Sequence, residues 1–142
     1  MTDPGYSGTP LPRKLGYEDG QRILFIALPP ELNHLRVSRH FIEIAQAGWE
    51  TFTDGDPGYD VIHGFTASRA VLAASAPSLM AQIARDGAIW ISWPKKASKV
   101  ATDITEDVIR EIVLPIGLVD VKVCAVDGTW SGLKLVIRKT LR

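Results

Sequence analysis

The run Arg22-Ile23-Leu24-Phe25-Ile26-Ala27-Leu28 does most to fix what this chain can fold into. Its apolar residues follow one another without interruption, so they cannot alternate between core and solvent. A strand made from them must be covered on both faces, which is the situation of a strand inside a parallel sheet. Pro29-Pro30 stops the run, because proline has no amide hydrogen to give to a sheet ladder. Val61 to Phe65 and Ala88 to Trp93 read as two more strands, the latter ended by Pro94.

The intervening stretches carry helix signals. Glu31 to Ala47 reads as a helix, with Leu32, Leu35, Phe41, Ile42, Ile44 and Ala45 as its apolar positions and Gly48 as its stop. A short strand is expected over Trp49 to Phe52, followed by the turn-forming Asp54 to Asp60. Ser68 is a good N-cap for the next helix, and a break or a new first turn is expected at Pro77, after which Met80, Ile83 and Ala84 continue the apolar face. Thr105, followed by Glu106 and Asp107, caps a third helix with apolar positions Val108, Ile109, Ile112 and Val113. Val119 to Val126 then alternates, placing Val119, Val121, Val123 and Ala125 on one face and Asp120, Lys122 and Cys124 on the other. With Leu133 to Arg138 and the connector Asp127 to Gly132, it forms an antiparallel hairpin. Strands alternating with helices predict a three-layer α/β fold whose mostly parallel sheet ends in that hairpin. Residues 1–12, rich in Gly, Pro, Ser and Thr, read as an extended arm in which Pro10 and Pro12 oppose a regular helix. Residues 13–142 read as a single domain.

The 142 residues carry 16 basic and 16 acidic side chains, and 46% of them are hydrophobic. That composition excludes a wholly disordered chain and argues against a dedicated duplex nucleic-acid binder, which carries a positive excess. The neutrality is a cancellation: residues 1–39 carry net +1, residues 40–93 net −4 and residues 94–142 net +3. A single cysteine, Cys124, excludes an intrachain disulfide. The opening MTDPGYSGTP lacks the basic start and apolar run of a secretory signal, and no apolar stretch approaches membrane-spanning length, so a soluble cytoplasmic protein with no membrane association is expected.

The order of elements resembles the Rossmann-like methyltransferase fold, which ends in such a hairpin. LGYEDGQRILFIAL resembles the entry to the first strand of that fold, YDVIHGF a later strand beginning at an Asp, and LMAQIARDGAIWISWP its helix, Asp-Gly turn and strand. The likeness spans residues 15–138. A methyltransferase of this kind carries an acidic residue and closely spaced glycines just after its first strand, where the backbone approaches the cofactor. Here that position reads Ala27-Leu28-Pro29-Pro30-Glu31, and no glycine follows until Gly48. The resemblance therefore implies a degenerate relative without the usual cofactor cradle, and no cofactor is expected. Three longer strings, YSGTPLPRKLG at Tyr6–Gly16, ISWPKKASKVATDITEDVIRE at Ile91–Glu111 and GLVDVKVCAVDGTWSGLKLVIRK at Gly117–Lys139, resemble a bacterial family of small proteins described as a domain of unknown function. That resemblance implies no activity.

Ligands in open α/β sheets sit beyond the carboxyl ends of the strands. Lys95, Lys96 and Lys99 directly follow such an end, with Trp93 as a flat apolar wall, so this loop is the first candidate for holding a phosphate or carboxylate. Ser7 and Thr9 beside Gly8, with Arg13 and Lys14, form a second candidate as an anion nest. The hairpin offers a third set, Asp120, Lys122, Trp130 and Ser131, in which Asp120 and Lys122 are placed to pair across one face. Cys124 reads as a small buried hydrophobe rather than a nucleophile, since no histidine neighbours it in sequence. His34, His40 and His63 lack metal-ligand spacing, so no metal site is expected, and His63 is read as a hydrogen-bonded core residue. The expected function is a non-catalytic binding or regulatory module for an anionic small molecule or a protein partner. The alternative is a divergent transferase-like enzyme with a rearranged cofactor crevice.

Overall fold

The computed structural model describes residues 9–142. Its six strands are β1 (Arg22–Ile26), β2 (Glu43–Ala47), β3 (Tyr59–Phe65), β4 (Ile83–Pro94), β5 (Leu118–Ala125) and β6 (Trp130–Ile137). They form one sheet in the order β2-β1-β3-β4-β6-β5. β1 lies parallel between β2 and β3, and β3 is parallel to β4. β6 runs antiparallel between β4 and β5. The α/β class, the mostly parallel sheet and the terminal hairpin are thus as the sequence predicts.

The two sheet faces are covered very differently. Against one face pack α2 (Arg69–Gln82) and α3 (Glu106–Val113), whose Leu72, Leu79, Ile109 and Val113 meet Leu24, Ile26, Ile62, Ile89, Ile91, Leu133 and Leu135 of the sheet. The opposite face, built from Ile23, Phe25, Val61, Phe65 and Trp90, is covered by shorter pieces. These are the four-residue α1 (Leu11–Lys14) with Leu15 and Tyr17 behind it, and a 3-10 helix at Pro30–Val37 that contributes Leu32 and Leu35.

Polar bonds inside this second core hold the short pieces down. Tyr17 Oη lies 2.6 Å from His63 Nδ1, and His63 Nε2 lies 2.7 Å from Ser92 Oγ. The Trp90 indole N–H donates to the Leu15 carbonyl at 2.8 Å. The imidazole stacks on Phe65, with centroids 4.3 Å apart. His63 is thus the hydrogen-bonded core residue that its place in an apolar strand implies.

Four local expectations are corrected. Glu31 to Ala47 is not one helix. Its first part is the 3-10 helix, in which Leu32 and Leu35 share a side because the repeat is three residues, and its last part is strand β2. Edge bonds fix β2 beside β1: Ile42 N–H donates to the Gln21 carbonyl, and Arg22 Nε donates to Glu43 Oε1 at 2.7 Å. Trp49 to Phe52 is a turn leading into a 3-10 helix at Phe52–Asp54, not a strand. Pro77 does not break α2; Pro77 and Ala73, whose carbonyl loses its helical partner, both lie on the exposed side, so the vacated acceptor is not buried. Pro12 does not exclude a helix either. It sits in the first turn of α1, where its missing N–H is not needed.

Neutral burial of His63 makes an acid-sensitive prediction. Desolvation lowers its pKa from 6.5 to about 3. Between those values the unfolded chain binds a proton that the folded chain refuses, so this contribution to stability is complete above about pH 6.5 and is lost as pH falls. From pH 6 to pH 5 the unfolding free energy should drop by about 1 kcal/mol through this residue alone. Denaturant melts of the native chain and a His63→Gln variant check it: the variant should be less stable at pH 7 and show a flatter slope across that interval.

Candidate functional site

The sheet order reverses between β1 and β3, so the crevice expected of an open α/β sheet lies at the carboxyl ends of those strands. Just past β1, Ala27 adopts φ +56°, a left-handed conformation that favours glycine. Leu28, Pro29 and Pro30 follow and lead into the 3-10 helix rather than an α-helix. Beside them, the Trp49 indole covers the end of β3. A β-carbon added to Gly64 would stand 2.7 Å from Trp49 Cη2, so only glycine fits beneath the ring. The indole N–H donates to the Phe65 carbonyl at 2.9 Å, and its ring meets Phe52 edge-on.

The loop after β4 lines a cleft of about 780 Å³ on the α2/α3 side of the sheet. Lys95, Lys96 and Lys99 line it from the loop, and Thr105, Glu106, Asp107 and Arg110 line it from the start of α3. Trp93, Val100 and Ile104 add apolar surface, and Ser131 lies beside Trp93 in the β4–β6 ladder. Local bonds shape the lysine loop: Lys95 N–H donates to the Thr129 carbonyl at 2.7 Å, and Ser98 Oγ donates to the Lys95 carbonyl at 2.7 Å. Lys99 is held at φ +62°, a costly conformation for a side-chain-bearing residue. The far end of the loop is tied to the start of α2, where Thr102 Oγ1 donates to the Ala67 carbonyl and Asp103 Oδ1 accepts from Arg69 N–H. Thr105 Oγ1 accepts from Val108 N–H as the cap of α3, as the sequence predicts.

The acids of this lining are already engaged. Arg110 binds Glu106 at 3.0 Å, Asp107 at 3.0 Å and Asp120 at 2.9 Å. The bond from Arg110 holds the Asp120 carboxyl below its ordinary range. Among the described residues, Lys95, Lys96 and Lys99 have no carboxylate partner. The cleft therefore offers unneutralised ammonium groups together with apolar surface, the chemistry of a site for a ligand with an anionic group and an apolar body.

The other sequence candidates do not converge here. Ser7 lies outside the described residues. Thr9 precedes α1, and Arg13 and Lys14 form its last turn on the opposite sheet face. The hairpin set splits as well. A bulge between Asp120 and Lys122 pairs Asp120 with Leu135 but Lys122 with Lys134, which puts the two on opposite faces. Asp120 consequently binds Arg110 instead of Lys122. Trp130 packs edge-on against Phe65, away from Ser131. Cys124 is buried, and desolvation raises its thiol pKa. Arg110 is the residue that sequence reasoning missed; its spacing of four from Glu106 and three from Asp107 on one helix was the available signal. Among the described residues, no group of three or more His, Cys, Asp or Glu side chains is placed to hold a metal ion, and no helix is long and apolar enough to cross a membrane.

No family model and no curated protein matches the chain, so neither supports the likeness to the bacterial domain family. Solved structures do share its fold. A methyltransferase dependent on S-adenosylmethionine (SAM) from Aquifex aeolicus aligns at 14% identity and TM-score 0.64, over 88% of this chain and 86% of that one. The magnesium protoporphyrin IX methyltransferase of Synechocystis PCC 6803, solved with bound SAM, aligns at 13% identity and TM-score 0.58, over 85% of this chain and 71% of that one. A TehB-like SAM-dependent methyltransferase from Corynebacterium glutamicum aligns at 12% identity and TM-score 0.52, over 84% of this chain and 82% of that one. At such identities the likeness is one of fold.

The first βα turn does not fit a nucleotide-bearing cofactor held in the usual way. That mode needs glycines for close approach and backbone N–H groups at the start of an α-helix. This chain supplies two prolines without N–H groups and a 3-10 helix. The left-handed backbone that a glycine would favour persists at Ala27. Ala27→Gly should therefore be neutral or stabilising, by up to about 1 kcal/mol, because relief of the left-handed strain outweighs the added chain entropy. Thermal melts of the two proteins check this, and a clear loss of stability would contradict it.

Proposed function

We propose that this chain is a binding module on a methyltransferase-type fold, and that it takes a ligand with an anionic group and an apolar or aromatic body in the cleft between the Lys95–Lys99 loop and α3. The observation that carries this reading is the set of three lysines lining the cleft, without carboxylate partners among the described residues, together with Trp93 in the same lining. Arg110 supports it by holding Glu106 and Asp107 in ion pairs, and the lining as a whole is positive, with Lys95, Lys96, Lys99 and Arg110 against those two acids. The strained Lys99 backbone supports it too, since such conformations cluster at ligand sites.

A fluorescent aromatic phosphate, 1-naphthyl phosphate, is a suitable probe. Lys95→Ala with Lys96→Ala should weaken its binding at least tenfold, equivalent to about 1.4 kcal/mol. Unchanged affinity in the double variant would count against the cleft.

A second reading, a divergent transferase-like enzyme, draws on the fold of the structural neighbours, which favours it over a non-catalytic role. The proline-filled turn after β1 weighs on the other side. Thermal shift with S-adenosylmethionine and S-adenosylhomocysteine separates the two. A cofactor present at 100 times its Kd stabilises the fold by about 2.7 kcal/mol. A rise in melting temperature would favour the enzyme; no shift at millimolar cofactor would favour the binding module.

A further inference from the structure

The described ion pairs of this chain are all made by arginine: Arg22 with Glu43, Arg69 with Glu111, and Arg110 with Glu106, Asp107 and Asp120. Outside the cleft, two lysines that have no carboxylate partner among the described residues stand directly opposite one another. Lys122 of β5 and Lys134 of β6 are direct cross-strand partners. Side chains so paired start about 5 Å apart, and like charges there repel. The bulge at Asp120–Lys122 creates this arrangement by turning Lys122 to the same face as Lys134, the face opposite the Lys95–Lys99 cleft.

The surroundings of the pair come from a third segment. The Lys134 ammonium reaches the turn after α1, 4.0 Å from where a β-carbon on Gly16 would stand. Lys122 is exposed and Lys134 half-buried. Burial first, and Lys122 second, disfavour the charged form of Lys134.

We propose that Lys122 and Lys134 form a second anion site, for a phosphate-type dianion, on the sheet face opposite the cleft. A dianion between the two ammonium groups replaces their repulsion with two charge-assisted hydrogen bonds. The half-buried Lys134 gains most, because the interaction is stronger where less water screens it.

The test is calorimetric titration of the whole chain with inorganic pyrophosphate at low ionic strength. The native protein should bind saturably. Lys122→Ala with Lys134→Ala should weaken binding at least tenfold, whereas Lys95→Ala with Lys96→Ala should change it less than twofold. The first double variant removes a repulsive pair, so its melting temperature in the absence of ligand should be unchanged or raised. The site is overturned if the native chain shows no saturable binding, or if affinity survives in the Lys122/Lys134 variant. Equal losses in both double variants also overturn it, since they indicate long-range attraction without a site. NMR titration of the Lys134 ammonium gives an independent readout: its pKa should rise on addition of pyrophosphate, and an unmoved pKa overturns the site.

Discussion

The second core of this protein depends on one buried imidazole. Helices α2 and α3 cover the first sheet face amply, but the second is roofed by α1, Leu15, Tyr17 and a 3-10 helix. Pieces this short have little intrinsic stability. His63 bonds Tyr17 on one side and Ser92 on the other, which ties the amino-terminal segment to two central strands. The Trp90 indole bond to Leu15 reinforces the same junction. A buried polar group is costly when unpaired, so each partner is held in place by the others.

The charge pattern is organised by a division between cation types. Arginine, with its planar fork, takes the acids in pairs and in the Arg110 network. Among the described residues, Lys95, Lys96 and Lys99 at the cleft and Lys122 and Lys134 on the second face have no carboxylate partner. A chain that is neutral overall therefore carries local positive fields on both sides of its sheet. The formal charge argues against a broad polyanion surface and is compatible with small anion sites.

Fold and turn point in different directions on catalysis. At 13–14% identity, solved SAM-dependent methyltransferases share the fold of this chain. The turn after β1 keeps a left-handed residue but fills it with Ala27, and prolines replace the backbone donors that follow. Trp49 over Gly64 closes the end of β3 beside it. Since function resides in sites grafted onto a fold, the cleft and this turn bear more directly on activity than the sheet does.

Several features were legible in the sequence because they depend on local chemistry. The apolar runs of β1, β3 and β4 required cover on both faces, Ser68 and Thr105 marked the helix starts, and the lysines after Trp93 followed a strand end. Other features arise only from pairing and packing. Ile42 to Ala47 has enough apolar residues for a helix, yet the open edge of β1 recruits it as a strand. Pro77 is tolerated because its side of α2 faces water, a fact set by where the helix docks. The hairpin alternation is regular in sequence, and one bulge turns Asp120 toward Arg110 and Lys122 toward Lys134. The sequence by itself determined the fold class and the lysine loop, through apolar continuity and helix caps. The tertiary structure alone decided which charges meet, because a one-residue register shift moves a side chain to the other face of a sheet.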